Sequence, residues 1–338
     1  MPISAASDAP LTGAITGADI ARFEADWIGA AGGAPSDTNR AGIAVSGGTD
    51  SVALLLLACA AFPGQVRAAT VDHGLRPEAA EEARGVGALC ARLGVAHMVL
   101  RPPPGSFARG NVQDRARAVR YRCLAAWAAS AGLRWVGIAH QQDDLAETFL
   151  MRARRGAGLT GLAAMQPLRP LEPGAGTPLL VRPLLGWSRG ELAACVAAAG
   201  IVPVEDPSNV HPRFDRSRMR ALLAATRELS PARLARAAGN LRDAEAALSW
   251  IADREWQARA ECGEGGILLD TAGLPRELVR RLAGRAIAAL GSAAPLRGSG
   301  LDRLIAAVDA GKVATLSGVV VRPGQRWRFA PAPPHRSR

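Results

Sequence analysis

Apolar segments typical of buried strands alternate with helical segments in the first half of the chain, and this alternation constrains the fold most. The strand candidates are residues 42–45, 66–71, 95–100 and 134–139. The helical candidates are residues 18–31, 49–61, 77–93, 111–132 and 143–155. Because the strands are apolar throughout, they predict a parallel sheet that helices cover on both faces. The sequence therefore predicts a Rossmann-like α/β fold, in which ligands bind beyond the carboxyl ends of the strands.

The first strand leads directly into Ser46-Gly47-Gly48-Thr49-Asp50-Ser51, and an apolar helix follows. Two glycines at a strand-to-helix turn let backbone N–H groups converge on an anion, and the helix N-terminus adds partial positive charge. The hydroxyls of Ser46 and Ser51 add donors, and Asp50 offers a hard oxygen ligand for Mg²⁺. The hexapeptide predicts a pyrophosphate site, with an ordinary turn capped by Thr49 or Asp50 as the alternative. It is not a Walker loop, because the spacing and the lysine of that motif are absent.

A second segment with chemical potential, His140 to Thr148, lies at the end of the fourth strand and continues into a helix. Asp144 and Glu147 are three residues apart, so both carboxylates lie on one helical face. Carboxylates beside a phosphate site repel ATP unless they hold a cation or an ammonium group. The alternative is a helix N-terminus with acidic residues in its first turn. His140 is a candidate general acid or base, or a donor to phosphate, with a structural role as the alternative.

The charge balance points to a polyanionic partner. The chain has 41 Lys and Arg against 30 Asp and Glu, a net charge of +11, and Lys312 is its only lysine. Such an excess favours nucleic acid as the partner, with arginine bias in the genome as the alternative. Aromatic residues make up only 4% of the chain, which argues against an extended base-stacking groove and is more compatible with recognising folded RNA by shape.

Cysteine usage and hydropathy predict a cytoplasmic protein. The five cysteines are widely spaced and form no C-x-x-C pair, so we expect reduced cysteines in the core. No apolar run is long enough to span a bilayer, and the N-terminus lacks the pattern of a secretory signal. The sequence therefore predicts no membrane association.

Composition along the chain predicts four regions: a loose N-terminus (1–17), a catalytic domain (18–225), a smaller and mainly helical domain (226–330) and a disordered tail (331–338). Within the catalytic domain, the glycine-, proline- and arginine-rich residues 156–187 predict a long functional loop. A helix near 188–199 and a polar loop at 205–213 follow. The second domain has predicted helices at 228–260, 275–290 and 298–311, and predicted strands at 313–322 and 325–330.

The hexapeptide resembles the SGGxDS signature of the ATP-pyrophosphatase, or PP-loop, superfamily. Its members cleave ATP between the α and β phosphates and adenylate an oxygen atom, and a nucleophile then displaces the AMP. Further segments resemble one family of that superfamily, the tRNA(Ile)-lysidine synthetases, in the right order between about residues 40 and 225. These segments are Val71–Arg76, Ala116–Tyr121, His140–Thr148, Arg155–Leu162, Arg182–Leu185, Asp206–Asn209 and Phe214–Arg220. Ser217 stands where that family usually has asparagine, and the resemblance is weak over the second domain.

The resemblance implies ATP-dependent ligation of L-lysine to C2 of the wobble cytidine of tRNA(Ile) with a CAU anticodon. The C2 oxygen is first adenylated with release of pyrophosphate, and the lysine amine then displaces AMP to give lysidine. The second domain would hold tRNA by charge, with a dimerisation or purely structural module as the alternative. A homodimer is compatible with the sequence.

The resemblance also implies roles for individual residues. Ser46, Gly47, Gly48, Thr49, Asp50 and Ser51 would bind ATP, with Asp50 on Mg²⁺. Arg120 would offset the phosphate charge, either alone or together with Arg117. Arg120, Asp50 and His140 would be the catalytic residues. Asp144 and Glu147 would bind the lysine ammonium. Arg216 or Arg218 would serve the lysine carboxylate or the tRNA backbone; we assign Arg218 to lysine, and Arg216 together with Arg155 to tRNA.

Other functions compete with this one. A sulfur-transferring tRNA thiolase of the same superfamily commonly needs a cysteine pair, which this chain lacks. An NAD or GMP synthetase would not call for so basic a chain. A non-catalytic RNA-binding protein on this fold would not need the intact Ser46, Asp50, Ser51, Asp144 and Glu147.

Overall fold

The computed structural model describes residues 4–5, 11–74, 78–103, 106, 112–163, 165–174, 176–204, 215–291 and 298–333. The chain divides into two compact units, Met1–Arg242 and Asp243–Arg338. No helix of the described residues is both long and apolar enough to cross a membrane.

The first unit is built on a six-stranded sheet. Its strands are β2 (Ala41–Ala44), β3 (Val66–Val71), β4 (Ala96–Leu100), β5 (Trp135–Gly137), β6 (Leu168–Pro170) and β7 (Leu179–Val181). They lie in the order β4-β3-β2-β5-β7-β6, and all neighbours are parallel except the antiparallel pair β6 and β7. Two short strands, β1 (Ser4–Ala5) and β8 (Ile201–Val202), pair separately and antiparallel. The predicted Rossmann-like parallel sheet is confirmed, with one antiparallel strand at its edge.

Helices cover both faces of this sheet, as predicted. The helices that lie wholly or partly in the first unit are α1 (Gly17–Ala31), α2 (Thr49–Ala61), α3 (Ala79–Arg92), α4 (Val112–Ser130), α5 (Gln142–Ala153), α6 (Leu159–Leu162), α7 (Arg189–Ala198), α8 (Asp215–Ala225) and α9 (Pro231–Arg259). One core joins Trp27 of α1 and Leu54 of α2 to the strand residue Ile43. A second core joins Leu124 of α4 to Val136. The helix α2 is apolar all round because it is buried from Ser51 to Ala58, as expected for a helix inside a core.

Two glycines let indole rings lie directly against the sheet. A Cβ at Gly42 would lie 2.7 Å from the Trp127 ring, and a Cβ at Gly137 would lie 2.9 Å from the Trp27 ring. These tryptophans belong to the two different cores. The strands that carry the candidate site are therefore fixed from both faces by close packing.

Two predictions for the first unit are wrong in part. The predicted loop at 156–187 contains α6, β6 and β7, and β7 extends the central sheet beside β5. Strands of three residues are too short to show a hydrophobic period, so sequence patterns missed them. The predicted loose N-terminus includes a 3₁₀ helix at Leu11–Ala14, and Leu11 and Ile15 are buried in the core. Residues 1–3 and 6–10 lie outside the described residues.

The second unit combines the end of α9 with α10 (Arg276–Leu290), α11 (Gly298–Asp309) and an antiparallel sheet. The strands are β9 (Ala260–Gly263), β10 (Gly266–Leu269), β11 (Ala314–Leu316), β12 (Val319–Arg322) and β13 (Trp327–Pro331), in the order β11-β12-β13-β10-β9. The predicted single strand at 313–322 is a hairpin, because Ser317 and Gly318 have φ values of 50° and 78°, which suit a tight hairpin turn. β9 and β10 were not predicted. Pro331 pairs with Val319 inside β13, so the predicted tail does not begin there; residues 334–338 lie outside the described residues.

The division between the units falls inside α9, between Arg242 and Asp243. The first turns of α9 belong to the first unit, because Ala238 is buried with Leu145 of α5 and Met165. The boundary predicted from the sequence, after residue 225, lies between α8 and α9.

Candidate active site

A cavity of about 710 Å³ opens at the carboxyl ends of β2, β3 and β5. Residues that end or follow these strands, among them Val45, Val71 and His140, form part of its wall. Its other polar and charged wall residues are Ser46, Thr49, Asp50, Ser51, Arg120, Tyr121, Asp144, Arg189, Arg216 and Arg220. The cavity thus gathers the two segments singled out in the sequence, 46–51 and 140–148, where the fold places ligands.

The turn before α2 is held by its own hydroxyls and backbone. The Ser46 N–H donates to Ser51 Oγ at 3.1 Å, and Ser51 Oγ donates to the Gly48 carbonyl at 2.9 Å. The Val204 N–H donates to the Gly47 carbonyl at 2.9 Å. Gly47 has φ 91°, which a residue with a Cβ rarely adopts. The turn is therefore preformed.

The N-cap of α2 is Gly48, which has no side chain to satisfy the first N–H groups of the helix. The alternative in which Thr49 or Asp50 caps this turn is wrong, because both residues already lie within the helix. The first turn of a helix leaves N–H groups without intrahelical partners. The Ser51 N–H donates to the Gly48 carbonyl at 3.0 Å, which leaves the N–H groups of Thr49 and Asp50 for an anion in the cavity.

The two glycines of the turn are expected to respond differently to alanine. Gly47→Ala should lower the free energy of unfolding by about 1–2 kcal/mol, because φ at this position is strained for any other residue. A Cβ at Gly48 would meet only ordinary contacts of 3.8 and 3.9 Å, so Gly48→Ala should keep wild-type stability. Because Gly48 lines the cavity, the added methyl should raise the KM for ATP at least tenfold. Urea unfolding and steady-state kinetics of both variants check this, and an unchanged KM for Gly48→Ala would contradict the phosphate role of the turn.

Asp50 lies in the first turn of α2 among other carboxylates. The pKa of Asp50 is raised to about 6: burial is the largest cause, Asp144 and Asp143 act in the same direction, and Arg189 and a hydrogen bond with Gln141 oppose the rise. Two carboxylates, Asp50 and Asp144, thus share one cavity wall. This arrangement favours a bound cation.

Asp144 serves as a helix cap and as a wall residue at once. Its carboxylate accepts from the Gln141 N–H at 3.2 Å, and the Gln141 side chain caps α5 in return. Asp143 accepts from the Arg189 N–H at 3.3 Å, at the start of α7, whose N-cap is Ser188. Both residues lie in the first turn of α5, as in the alternative of a helix N-terminus with acidic first-turn residues, and only Asp144 takes part in its capping box. This capping role does not exclude a ligand role for Asp144, whose side chain is 14% exposed and faces the cavity.

Glu147 lies beneath the cavity rather than in its wall. Its side chain is fully buried and has Arg220 Nε at 2.9 Å, Arg216 Nε at 3.2 Å and an Arg189 nitrogen at 3.9 Å. Burial raises the pKa of Glu147, and the guanidiniums of Arg220 and Arg216 oppose this shift. All three arginines line the cavity. Glu147 thus anchors three guanidiniums, and in this structure its carboxylate contacts arginines where the sequence predicted a lysine ammonium.

His140 is a neutral imidazole in a cationic environment. Arg182 Nε donates to His140 Nδ1 at 3.0 Å, which leaves Nε2 as the protonated nitrogen. Burial and the guanidiniums of Arg182 and Arg117 hold the pKa of His140 well below its usual value. Of the roles predicted for His140, hydrogen-bond donation from Nε2 fits this environment best. Arg120 shares the wall with His140, and burial together with Arg120 lowers the pKa of the nearby His73 to about 4.

Arg155 and Arg218, two further predicted site residues, also lie outside the cavity wall. Arg155 contacts Asp215 at 2.6 Å, and Arg218 contacts the same carboxylate. Hydrogen bonds from Arg218 and Arg155 lower the pKa of Asp215 to about 2. The cavity wall therefore brings together Ser46, Gly48 to Ser51, Arg120, His140, Asp144 and Arg216, and it does not include Gly47, Glu147, Arg155 or Arg218.

Sequence patterns missed four residues of the site. Tyr121, Arg182 and Arg220 lie within the family motifs Ala116–Tyr121, Arg182–Leu185 and Phe214–Arg220. A search for charged or aromatic residues within those motifs could have found them. Arg189 had no signal beyond its position at the start of a predicted helix. Leu75, Arg76, Asp206–Asn209 and Phe214, which belong to the quoted motifs, lie outside the described residues.

Comparison with known proteins agrees with this geometry. Residues 24–226 match the model of the PP-loop domain family. A tRNA(Ile)-lysidine synthase of Novosphingobium aromaticivorans is 46% identical over 94% of this chain and 94% of its own. A second, from Zymomonas mobilis subsp. mobilis, is 44% identical over 88% of this chain and 90% of its own.

Among solved structures, the U34-tRNA thiolase NcsA from Methanococcus maripaludis, with its [4Fe-4S] cluster, has a TM-score of 0.54. It is 14% identical over 67% of this chain and 79% of its own, so this likeness shows the fold alone. The preformed glycine turn at the strand ends, the match to the PP-loop domain and identities above 40% over most of the chain lead to one conclusion: the chain belongs to the tRNA(Ile)-lysidine synthase family of PP-loop proteins.

Proposed function

We propose that this protein ligates L-lysine to C2 of the wobble cytidine of tRNA(Ile) with a CAU anticodon, using ATP. The observation that carries the proposal is the cavity itself. Its lining offers helix N–H groups and hydroxyls for phosphates, and it also combines carboxylates with guanidiniums. Adenylation needs the first set, and a substrate that is both an amine and an acid needs the second.

In the adenylation step, the turn at Ser46–Ser51 holds the phosphates of ATP while the cytidine O2 attacks the α-phosphorus. The bond from the α-phosphorus to the oxygen of the β-phosphate breaks, and the adenylyl group is transferred to O2. Pyrophosphate leaves. The first N–H groups of α2 and the Arg120 guanidinium offset negative charge as it develops, in a site that needs no reorganisation. His140 donates from Nε2 to a phosphate or to the cytidine. Because the imidazole is neutral, the positive charge beside the phosphates comes from the arginines and not from His140.

Asp50 fits a Mg²⁺ ion that accompanies ATP. Its pKa is raised by burial and by Asp144, so its carboxylate is under-compensated, and Mg²⁺ in such sites takes one or two carboxylates plus phosphate oxygens. Mg²⁺ at this position supplies charge neutralisation at the phosphates.

In the second step, the lysine amine attacks C2, the C2–O bond to AMP breaks, and the amine loses a proton. We assign the lysine ammonium to Asp144, which faces the cavity. Glu147, which the sequence predicted to bind the same ammonium, contacts the arginines of the cavity wall and acts on the site by positioning them. Arg216 is in place for an anionic group of a substrate, either the lysine carboxylate or a tRNA phosphate. Binding by Arg218 and Arg155 would require them to leave Asp215.

A tRNA thiolase on the same fold is less well supported. The five free cysteines lie on five different elements, namely α2, α3, α4, α7 and β9. Burial raises the pKa of Cys59 and Cys90 to about 12, which keeps them as unreactive thiols. A role of the second unit in holding tRNA, a homodimer and a cytoplasmic location remain part of the proposal.

Labelled lysine tests this function directly. The protein is incubated with ATP, Mg²⁺, labelled L-lysine and an in-vitro transcript of the tRNA(Ile) with a CAU anticodon. We expect stoichiometric incorporation into the RNA with one AMP formed per lysine, and no incorporation when the wobble cytidine is changed to uridine. ATP cleavage to AMP with that tRNA but without lysine incorporation would point to another nucleophile. Silence in both readouts would make the chain a non-catalytic RNA-binding protein.

A further inference from the structure

Four arginines on the Tyr121 side of the cavity lack the carboxylate partner that six other arginines around the site have. Arg189, Arg216 and Arg220 pair with Glu147, and Arg154, Arg155 and Arg218 pair with Asp215. Four further arginines make no ion pair with any carboxylate in the part of the chain that the structure describes: Arg117, Arg152, Arg169 and Arg182.

Neutral groups hold these four side chains in place. Arg117 Nε donates to the Tyr121 hydroxyl at 3.2 Å, and the guanidiniums of Arg117 and Arg169 lie 5.6 and 4.7 Å from the centre of its ring. Arg182 donates to His140, and Arg152 donates to the Gly161 carbonyl at 2.7 Å. An aromatic face orients a guanidinium without neutralising it. Their positive charge therefore remains available.

The electrostatics of the cluster agree with unbalanced positive charge. The pKa of Arg182 is lowered to about 10: burial is the largest cause, Arg169 and Arg117 act in the same direction, and Tyr121 opposes the shift. Burial and Arg117 also lower the pKa of Arg152. For Tyr121, burial acts to raise the pKa, but the guanidiniums of Arg117 and Arg182 outweigh it and the pKa falls. An anion bound here would relieve this repulsion.

The position of the cluster indicates which anion this is. Tyr121 and His140 belong to the cavity wall, whereas Arg117 and Arg169 do not, so the cluster begins at the wall and extends away from the cavity. A base that enters the cavity stays covalently attached to its two neighbouring phosphates, so these must lie near the rim. A guanidinium is the side chain best suited to such a phosphodiester.

We propose that Arg117 and Arg169, held around Tyr121, bind backbone phosphates of the tRNA anticodon loop next to the cytidine that enters the cavity. This inference rests on the proposed function and adds a residue-level RNA contact to it. Arg182 and Arg152 are positioning residues, since one supports His140 and the other holds the glycine-rich segment at Gly161. The cluster replaces Arg155, which is paired with Asp215, as the expected contact of this part of the tRNA.

The salt dependence of tRNA binding tests the proposal. Each phosphate contact to a single-stranded segment contributes about 0.7 to the slope of log K against log salt. In the double variant Arg117→Gln with Arg169→Gln, the magnitude of that negative slope should therefore decrease by about 1.4. It should weaken binding of the transcript about 20-fold at 0.1 M salt, and the two proteins should converge near 1 M. The loss should be the same for transcripts with cytidine or uridine at the wobble position, because phosphates carry no sequence information.

Arg134→Gln is the matched control. Arg134 also lies over an aromatic ring, 5.0 Å from the centre of Trp135, but it precedes β5 at the opposite end of the strand from the cavity. We expect it to leave the slope unchanged. The single variants Arg134→Gln and Arg117→Gln are compared with each other. If both weaken tRNA binding equally, the proposal is overturned, and so it is if the salt dependence of the double variant is unchanged.

ATP affinity, measured by calorimetry without RNA, separates the two phosphate sources. The double variant should bind ATP within twofold of wild type; a loss of ATP affinity with intact RNA binding would assign the cluster to the triphosphate and overturn the proposal. The lysine incorporation assay on the wild-type protein keeps the two hypotheses apart. If lysine is incorporated and the slope does not change, only the phosphate contacts are wrong. If no lysine is incorporated, the proposed function fails whatever the slope.

Discussion

Replacing Asp50 by asparagine is expected to abolish lysidine formation and, at the same time, to make the protein more stable. The activity should fall at least about 1,000-fold, because the carboxylate that would hold Mg²⁺ against the ATP phosphates is lost and such electrostatic contacts supply several kcal/mol. The affinity for tRNA should stay within a few fold. An equal loss of tRNA binding would contradict the metal role of Asp50.

The gain in stability follows from the direction of the pKa shift. The pKa of Asp50 rises from 3.8 to about 6 on folding, so the folded protein binds this proton more tightly than the unfolded chain. The folded state is therefore penalised as pH rises from 3.8 through 6, and above pH 7 the penalty is about 2–3 kcal/mol. Asparagine removes it. Below pH 4 the carboxyl is protonated in the folded state, and the difference between the two proteins should shrink to less than about 1 kcal/mol.

Urea unfolding of the two proteins at pH 7.5 and at pH 4 measures this difference. Glu24→Gln is a suitable control, since Glu24 is an exposed carboxylate on α1 and the substitution removes the same charge. It should change neither stability nor turnover. A wild-type protein more stable than Asp50→Asn at pH 7.5 would mean that Asp50 is compensated in the absence of ligands. In that case its ionised form would not need a cation.

Local patterns were sufficient to predict the sheet and the phosphate turn. Strand apolarity, the glycine pair and the order of the motifs are all properties of neighbouring residues, and they placed Ser46 to Ser51 and His140 at adjacent strand ends. The partners of these residues were not predictable in this way. Arg220 reaches Glu147 across 73 positions, and Arg182 reaches His140 across 42. The helical spacing of Asp144 and Glu147 was read correctly, yet only tertiary packing decides that one faces the cavity and the other faces arginines.

That distinction makes Glu147→Gln the most informative second substitution. If Asp144 and Glu147 both held the ammonium, as their shared helical face predicts, Glu147→Gln would raise the KM for lysine and change the KM for ATP little. The structure leads to a different expectation. Arg189, Arg216 and Arg220 all line the cavity, and each has a nitrogen near the charged Glu147 carboxylate, at 3.9, 3.2 and 2.9 Å. Removing that charge should release three guanidiniums and raise the KM for lysine and for ATP together, each about tenfold or more.

Asp144→Asn provides the matched comparison, because it neutralises a carboxylate on the same helix that does face the cavity. It should raise the KM for lysine much more than the KM for ATP. If instead Glu147→Gln raises the KM for lysine alone, with ATP kinetics unchanged, then its carboxylate must turn from the arginines to the substrate. Glu147 would then be a direct ligand of lysine, and the three arginines would hold their positions without it.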